Sequence, residues 1–259
     1  MDGLFSLKGR TALITGGSRG IGEMIAEGYL KAGAKVYITA RKAADCMATA
    51  ERLSEFGTCV ALPGDASGAA GAQALAKQYL EHESTLDILV NNAGAAWGAP
   101  FEEFPESGWD KVMDLNVKTP FFLTQALYPA LKAKASADSP SKVINIASID
   151  GLSVNMMQTY SYAASKSGII HLTKRLALEL AKDNVIVTAI APGAFASQMN
   201  KVARDHEDMV AQAVPSGRIG QPEDMAGAAI FLASRAGDYV VGSTLTVDGG
   251  VTHARGSGF

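Results

Sequence analysis

The sequence predicts an α/β fold: a single doubly wound, parallel, seven-stranded sheet with helices on both faces. Three observations carry that prediction. Short apolar or β-branched runs alternate with longer stretches of helical spacing almost to the end of the 259 residues, as strand–helix–strand units do. The short runs are continuously apolar, the pattern of strands buried on both faces. Hydrophobic residues make up 47% of the chain, enough for a large core, and 27 glycines supply tight turns between strands and helices.

Taken in order, strands are expected at 10–15, 35–39, 58–62, 87–91, 142–147, 185–190 and 243–247. Helical spacing fills 20–32, 43–56, 68–83, 107–137, 160–182 and 222–235 between them. No linker, low-complexity block or repeat interrupts the series, so 1–259 is expected to form one domain. Residues 194–215 break the alternation and are read as a candidate lid.

Lys and Arg number 23 against 26 Asp and Glu, a net charge of −3, and no segment concentrates the cations. That argues against nucleic acid and against an anionic membrane surface as partners. No apolar run approaches membrane-spanning length, and the first residues lack the charged and apolar regions of a signal peptide. Cys46 and Cys59 have no CxxC spacing and suit a reducing compartment, so a cytoplasmic protein is expected. His82, His171, His206 and His253 show no zinc-ligand spacing, so no metal is expected.

Directly after the first strand stands Thr15-Gly16-Gly17-Ser18-Arg19-Gly20-Ile21-Gly22, followed by a helix. Glycines let a backbone turn sharply and approach a pyrophosphate, whose charge the helix N-terminus then stabilises. A glycine-rich turn alone would be weak. Its place in the first strand–helix unit makes it a dinucleotide site.

The end of the second strand sets the choice between NAD and NADP. An acid there would accept hydrogen bonds from the ribose 2′-hydroxyl. Here the corner reads Thr39-Ala40-Arg41-Lys42, with no carboxylate. Arg41, with Arg19 in the glycine turn, matches the charge and geometry of a 2′-phosphate instead. NADP(H) is the expected cofactor. A plain solvated helix start would also place Arg41 here, but would not account for the missing acid.

Further motifs follow in order. Asn91-Asn92-Ala93-Gly94 ends the fourth strand, and Leu115-Asn116-Val117 lies in the next helical stretch. Ser148 follows the fifth strand, and Tyr162-Ala163-Ala164-Ser165-Lys166 opens the next helix. Pro192-Gly193 closes the sixth strand and Asp248-Gly249-Gly250 the seventh. On these motifs the chain resembles the short-chain dehydrogenase/reductase family over nearly its whole length, which implies a Rossmann-type fold and hydride transfer between nicotinamide and a carbonyl or alcohol carbon. The resemblance implies four catalytic residues. Tyr162 gives or takes the proton, and Ser148 steadies the substrate oxygen. Lys166 lowers the tyrosine pKa and holds the nicotinamide ribose, and Asn116 anchors a water relay to the lysine. It also implies cofactor contacts from Asp65 and Ala66 at the adenine, from Asn92, Ala93 and Gly94 at the adenosine ribose, and from Pro192, Gly193, Phe195 and Ser197 at the nicotinamide. A helix-capping role remains open for Asp65.

Elementary chemistry agrees. Tyr162 and Lys166 are four residues apart and share one helix face. A free phenol, with a pKa near ~10, is a poor acid at neutral pH, and a neighbouring ammonium favours its ionised form. Tyr160 has Ala164 four residues on, so the spacing selects Tyr162. Fourteen positions separate Ser148 from Tyr162, one more than is common in the family, so the loop at 149–161 is expected to carry an extra residue.

The pattern is similar to bacterial 3-oxoacyl (β-ketoacyl) reductases, especially the rhamnolipid-associated branch, through Ser18-Arg19-Gly20-Ile21-Gly22 and Ala96-Trp97-Gly98. That implies a small carbonyl substrate on acyl carrier protein or coenzyme A, and a homotetramer joined through the helices at 107–137 and 160–182. Carrier-protein reductases often place a basic residue where this chain has Leu178, with Lys174 and Arg175 one turn earlier. A sugar, polyol or other secondary-alcohol dehydrogenase is the alternative enzyme. A non-catalytic NADP(H)-sensing protein is the alternative of another kind.

Overall fold

A computed structural model describes residues 3–198 and 200–254. The apolar runs form seven strands: β1 (Thr11–Thr15), β2 (Lys35–Ala40), β3 (Cys59–Pro63), β4 (Ile88–Asn91), β5 (Ser141–Ile146), β6 (Val185–Pro192) and β7 (Thr244–Val247). Each pairs only in parallel, in the order β3-β2-β1-β4-β5-β6-β7. Every strand expected from sequence is present, with ends within two residues of the expected ones.

Helices α1 (Gly20–Lys31), α2 (Ala43–Leu53) and α3 (Gly68–Leu80) follow the first three strands. After β4 come α4 (Glu106–Met113) and α5 (Thr119–Lys132), and after β5 the long α6 (Tyr160–Leu180). Two one-turn helices, α7 (Lys201–Asp205) and α8 (Glu207–Ala211), follow β6 and precede α9 (Pro222–Ala233).

The two-residue period of a strand sends neighbours to opposite faces, and two cores result. Ala12, Ile14, Val36 and Ile38 join Ile25, Tyr29, Met225 and Leu232 beneath α1 and α9. Leu13, Tyr37, Leu89 and Val143 join Leu75, Tyr79, Leu127 and Leu180 beneath α3, α5 and α6.

The helix expected at 107–137 needs correction. It is a composite of α4, a π-helical stretch at Asp114–Lys118 and α5. Pro120 has no N–H to give the Asn116 carbonyl four residues back, which removes one α-helical bond there. A wider turn, from the Thr119 N–H to the Asp114 carbonyl, takes up the slack. The composite ends at Lys132, because Ser136 and Ser139 exchange two backbone hydrogen bonds of 3.2 Å and turn the chain back toward β5. The segment at 194–215 is not wholly irregular either, since it holds α7 and α8.

A buried ion pair fixes β5, the strand that leads to Ser148. The Lys142 side chain is 1% exposed, and its Nζ lies 2.6 Å from Asp238 Oδ1. Burial lowers the lysine pKa, and Asp238 opposes the shift. Leaving the buried ammonium without its partner costs about 3–5 kcal/mol, whereas replacing the lysine by an apolar side chain leaves only Asp238 unpaired, and its side chain, 25% exposed, is still reached by water. Asp238→Ala is therefore expected to lower the urea midpoint more than Lys142→Met does. The reverse order would show that this pair does not hold β5.

Candidate functional site

Loops leaving the carboxyl ends of β1 to β6 line one cleft of about 610 Å³. Its wall includes Gly16, Ser18, Arg19, Gly20 and Ile21 after β1, Arg41 after β2, and Asp65 with Ala66 after β3. Asn92, Ala93 and Gly94 follow β4, Ser148 follows β5, and Pro192, Gly193, Phe195 and Ser197 lie at and after the end of β6. Tyr162 and Lys166 reach it from α6. Of the residues expected from sequence, Gly22 and Asn116 alone stand behind the wall.

The glycine turn is held open by geometry that side chains would spoil. Gly16 has φ of 65°, and a Cβ on it would lie 3.1 Å from the Ala93 Cα. A Cβ on Gly22 would lie 2.3 Å from the Gly16 carbonyl oxygen, so only glycine lets α1 pack this close to the turn. Thr15 ties the turn to the next loop. Its Oγ1 accepts the Asn92 and Ala93 N–H groups, both at 2.9 Å. Asn92 Nδ2 in return donates to the Thr15 carbonyl at 2.8 Å and the Gly16 carbonyl at 3.1 Å. Arg19, at the start of α1, makes no side-chain cap, which leaves the helix's first N–H groups for a ligand.

Arg19, Arg41 and Lys42 are all exposed at this end. Lys42 lies 4.0 Å from Asp45, an acid one step into α2 that also lines the cleft and that sequence reasoning missed. Asp65 Oδ1 accepts from the Ser67 hydroxyl at 2.6 Å and the Ser67 N–H at 2.9 Å, closing the turn before α3. The Ser67 bonds hold its carboxyl below the usual range, and the Arg41 charge adds to this. Asp65 thus shapes a turn while facing the cleft.

The other end holds the acid–base groups. Ser148 is buried, and its Oγ accepts the Asp150 N–H at 3.2 Å. Lys166 is buried; its Nζ donates to the Ile146 carbonyl at 2.8 Å and lies 5.5 Å from the Tyr162 ring centroid. Burial pushes the Tyr162 phenol up to about 12, against a hydrogen bond with Ser148 that lowers it, while the Asp150 charge raises it further. Burial pushes Lys166 down to about 8, and Asp150 opposes this. The sequence expectation was a phenol depressed by its lysine. Desolvation outweighs that pairing, and the ammonium turns to a backbone carbonyl.

Asn116 lies in the π-helical stretch, buried behind the wall. Its Nδ2 donates to the Ala95 carbonyl and to Ser165 Oγ, both at 2.9 Å, and its Oδ1 accepts the Ala95 N–H at 2.8 Å. The side chain is thus spent on bracing the β4 loop against α6. Its backbone carbonyl, opposite Pro120, is the group left for a relay.

Asp150, Asn155, Met157, Thr159, Gln198 and Asn200 also line the cleft and were not foreseen. One signal was present for the first four: they fall in the 149–161 loop, whose length already departed from the family spacing. Among the described residues no group of His, Cys, Asp and Glu is arranged to hold a metal, and no helix is long and apolar enough to cross a membrane.

A glycine turn on a helix N-terminus and a Ser–Tyr–Lys cluster in one cleft define a nicotinamide-dinucleotide oxidoreductase. The family model described as enoyl-(acyl carrier protein) reductase matches residues 16–252. A rhamnolipids biosynthesis 3-oxoacyl-[acyl-carrier-protein] reductase of Pseudomonas aeruginosa is 50% identical over 253 residues, 96% of this chain and 99% of that protein. A 2-dehydro-3-deoxy-D-gluconate 5-dehydrogenase of Dickeya dadantii is 38% identical over 250 residues, 95% of this chain and 96% of that one. The Pseudomonas aeruginosa RhlG/NADP active-site complex superposes with a TM-score of 0.94 at 48% identity, covering 97% of this chain and 100% of that one. The chain belongs to the short-chain dehydrogenase/reductase family, oxidoreductases that act on CH–OH and C=O groups.

The lysine shift has a measurable sign. The folded protein disfavours charge on Lys166 below its usual 10.5 and down to about 8. Stability from this group is therefore full above pH 10.5 and is lost as the pH falls to about 8, by up to about 3 kcal/mol. Lys166→Met is expected to be more stable than wild type at pH 7, with the gap closing toward pH 10.5. Urea unfolding of both proteins across that range checks it, and a pH-independent gap would contradict it.

Proposed function

We propose that this chain is an NADP(H)-dependent reductase of 3-oxoacyl thioesters carried on acyl carrier protein or coenzyme A. The observation that carries this reading is the convergence of Ser148, Tyr162 and Lys166 at one end of a cleft whose other end is the glycine turn flanked by Arg19 and Arg41. The glycine cradle and the exposed cations fit a pyrophosphate and a 2′-phosphate. The 50% identity to a 3-oxoacyl-[acyl-carrier-protein] reductase supports the substrate class. So does the 149–161 loop, which offers the exposed Met157 to the cleft and also exposes Leu152, Val154 and Met156, an apolar surface for an acyl chain. A sugar-acid or polyol dehydrogenase, favoured by the 38% relative, has less use for such a surface.

The bound nicotinamide supplies the hydride. Ser148 Oγ–H donates to the ketone oxygen as negative charge grows there, and the Tyr162 hydroxyl passes its proton to the same oxygen. Lys166 Nζ would keep positive charge beside the phenol and hold the nicotinamide ribose. Asn116 braces the β4 loop against α6 and would offer its backbone carbonyl to a water that links lysine to solvent. Asp65 and Ala66 would hold the adenine, Asn92 to Gly94 the adenosine ribose, and Pro192, Gly193, Phe195 and Ser197 the nicotinamide.

The reading extends to a single cytoplasmic domain that assembles as a homotetramer through the α4–α5 composite and α6. The segment at 194–215 acts as a lid: a Cβ on Gly20 would lie 3.2 Å from the Ser197 Cβ, so the lid touches the glycine turn. Because Leu178 is uncharged, only a modest preference for carrier-protein-bound substrate is expected.

Tyr162→Phe is expected to abolish NADPH oxidation by acetoacetyl thioester while leaving NADPH binding nearly intact. Tyr160 packs edge-on to Phe101 and Phe104 outside the cleft wall, so Tyr160→Phe should stay active. Comparable rates in the two variants would refute the assignment. Arg41→Ala should raise the KM for NADPH about ten-fold, as loss of a charge-assisted bond does, and leave that for NADH nearly unchanged. Equal efficiency of wild type with both cofactors would contradict the reading of this corner.

A further inference from the structure

Charge is distributed unevenly along the cleft. Among the described residues that line it, Arg19, Arg41 and Lys42 stand at the ends of β1 and β2, in the dinucleotide half. The fourth cation, Lys166, is turned away onto the Ile146 carbonyl. The remaining wall around Ser148 is neutral, with Asn155, Met157 and Thr159 from one side and Gln198 and Asn200 from the lid. One charged group breaks that neutrality: Asp150.

Asp150 is held there by the chain itself. It lies in the 3₁₀ turn Ile149–Gly151 directly after Ser148, and its N–H donates to Ser148 Oγ at 3.2 Å. The Ser167 hydroxyl ties the same turn to α6 by donating to the Gly151 carbonyl at 3.1 Å. The carboxylate enters no ion pair among the described residues, and its charge is felt at both Tyr162 and Lys166. A carboxylate on the turn that follows Ser148, with the one nearby cation, Lys166, already bonded to the Ile146 carbonyl, repels a second carboxylate in a partly desolvated cleft.

We infer that Asp150 is a specificity-determining residue that closes the substrate end of the cleft to anionic ketones and leaves it open to neutral ones. The inference rests on the reading that Ser148 and Tyr162 hold a ketone for reduction. A thioester is neutral where a free 3-oxo acid carries its charge, so the same carboxylate separates acyl thioesters from keto acids and keto sugar acids. An apolar chain that runs past Met157 meets no penalty.

The test compares ketones matched except for charge: the ethyl thioester of acetoacetate against acetoacetate, and a neutral ketose against a keto sugar acid. Wild type, Asp150→Asn and Asp150→Glu are assayed with NADPH at low and high salt. In wild type the neutral member of each pair that is turned over should be preferred, and the preference should shrink with salt. Asp150→Asn should raise kcat/KM for the anion about ten-fold relative to its neutral partner, a ratio from which any common effect on Tyr162 and Lys166 cancels, with the salt dependence of the ratio lost. Asp150→Glu should keep the wild-type preference, which a purely structural role for Asp150 would not require. Turnover with an unchanged anion-to-neutral ratio in Asp150→Asn overturns the inference while leaving the ketone-reductase reading intact. Turnover of the ketose pair alone, with the expected ratios, overturns the thioester reading and supports the inference. Wild type that reduces no ketone overturns both.

Discussion

Between β1 and β4 the sheet changes the direction in which it grows, and the loops leaving these two strands must part to opposite sides. Strand order β3-β2-β1-β4-β5-β6-β7 puts that divergence near the middle of the sheet, and ligands bind at such a crevice in open α/β sheets. The cleft follows from this one constraint. The β1 loop supplies the glycine turn, the β4 loop supplies Asn92 to Gly94, and Thr15 Oγ1 locks one to the other through two 2.9 Å bonds. Because all the strands are parallel, their remaining loops open on the same edge. Residues as far apart in sequence as Arg41 and Phe195 therefore meet in one wall.

Burial governs the chemistry at the β5 end. Taking a phenol and an ammonium out of water favours the neutral form of each, which moves Tyr162 up and Lys166 down, away from one another. A lysine near 8 is already close to the working pH, whereas a phenol at about 12 is too weak an acid for a proton to leave it quickly. The groups are thus placed for proton transfer before they are tuned for it. Positive charge brought beside the phenol completes the tuning, either from Lys166 or from a cationic ligand in the cleft.

Most of this architecture was legible in the sequence because its signals are local. Strands declare themselves by apolar runs, the glycine turn by spacing, and the shared face of Tyr162 and Lys166 by a four-residue interval. What escaped depends on contacts between distant segments. The π-helical stretch at Asp114–Lys118 left only Pro120 as a trace in sequence, and no spacing showed that the Asn116 side chain bonds to Ala95 and Ser165 behind the cleft wall. Spacing set Lys166 beside Tyr162 but could not show that the Ile146 carbonyl would claim its ammonium. Asp150 had no motif to mark it, since its role comes from standing on the turn after Ser148, in a stretch of wall whose one cation, Lys166, is bonded to the Ile146 carbonyl.

The central claim is that burial holds Tyr162 out of its working range until positive charge from the cleft brings it back. Carbon-13 NMR of ring-labelled tyrosine, assigned with Tyr162→Phe, reads this directly in the free protein and in its complex with NADP⁺. The account predicts a Tyr162 phenol that titrates near 12 when free and several units lower in the complex, toward neutrality. A phenol already near neutrality in the free protein, or one still near 12 with NADP⁺ bound, would contradict it.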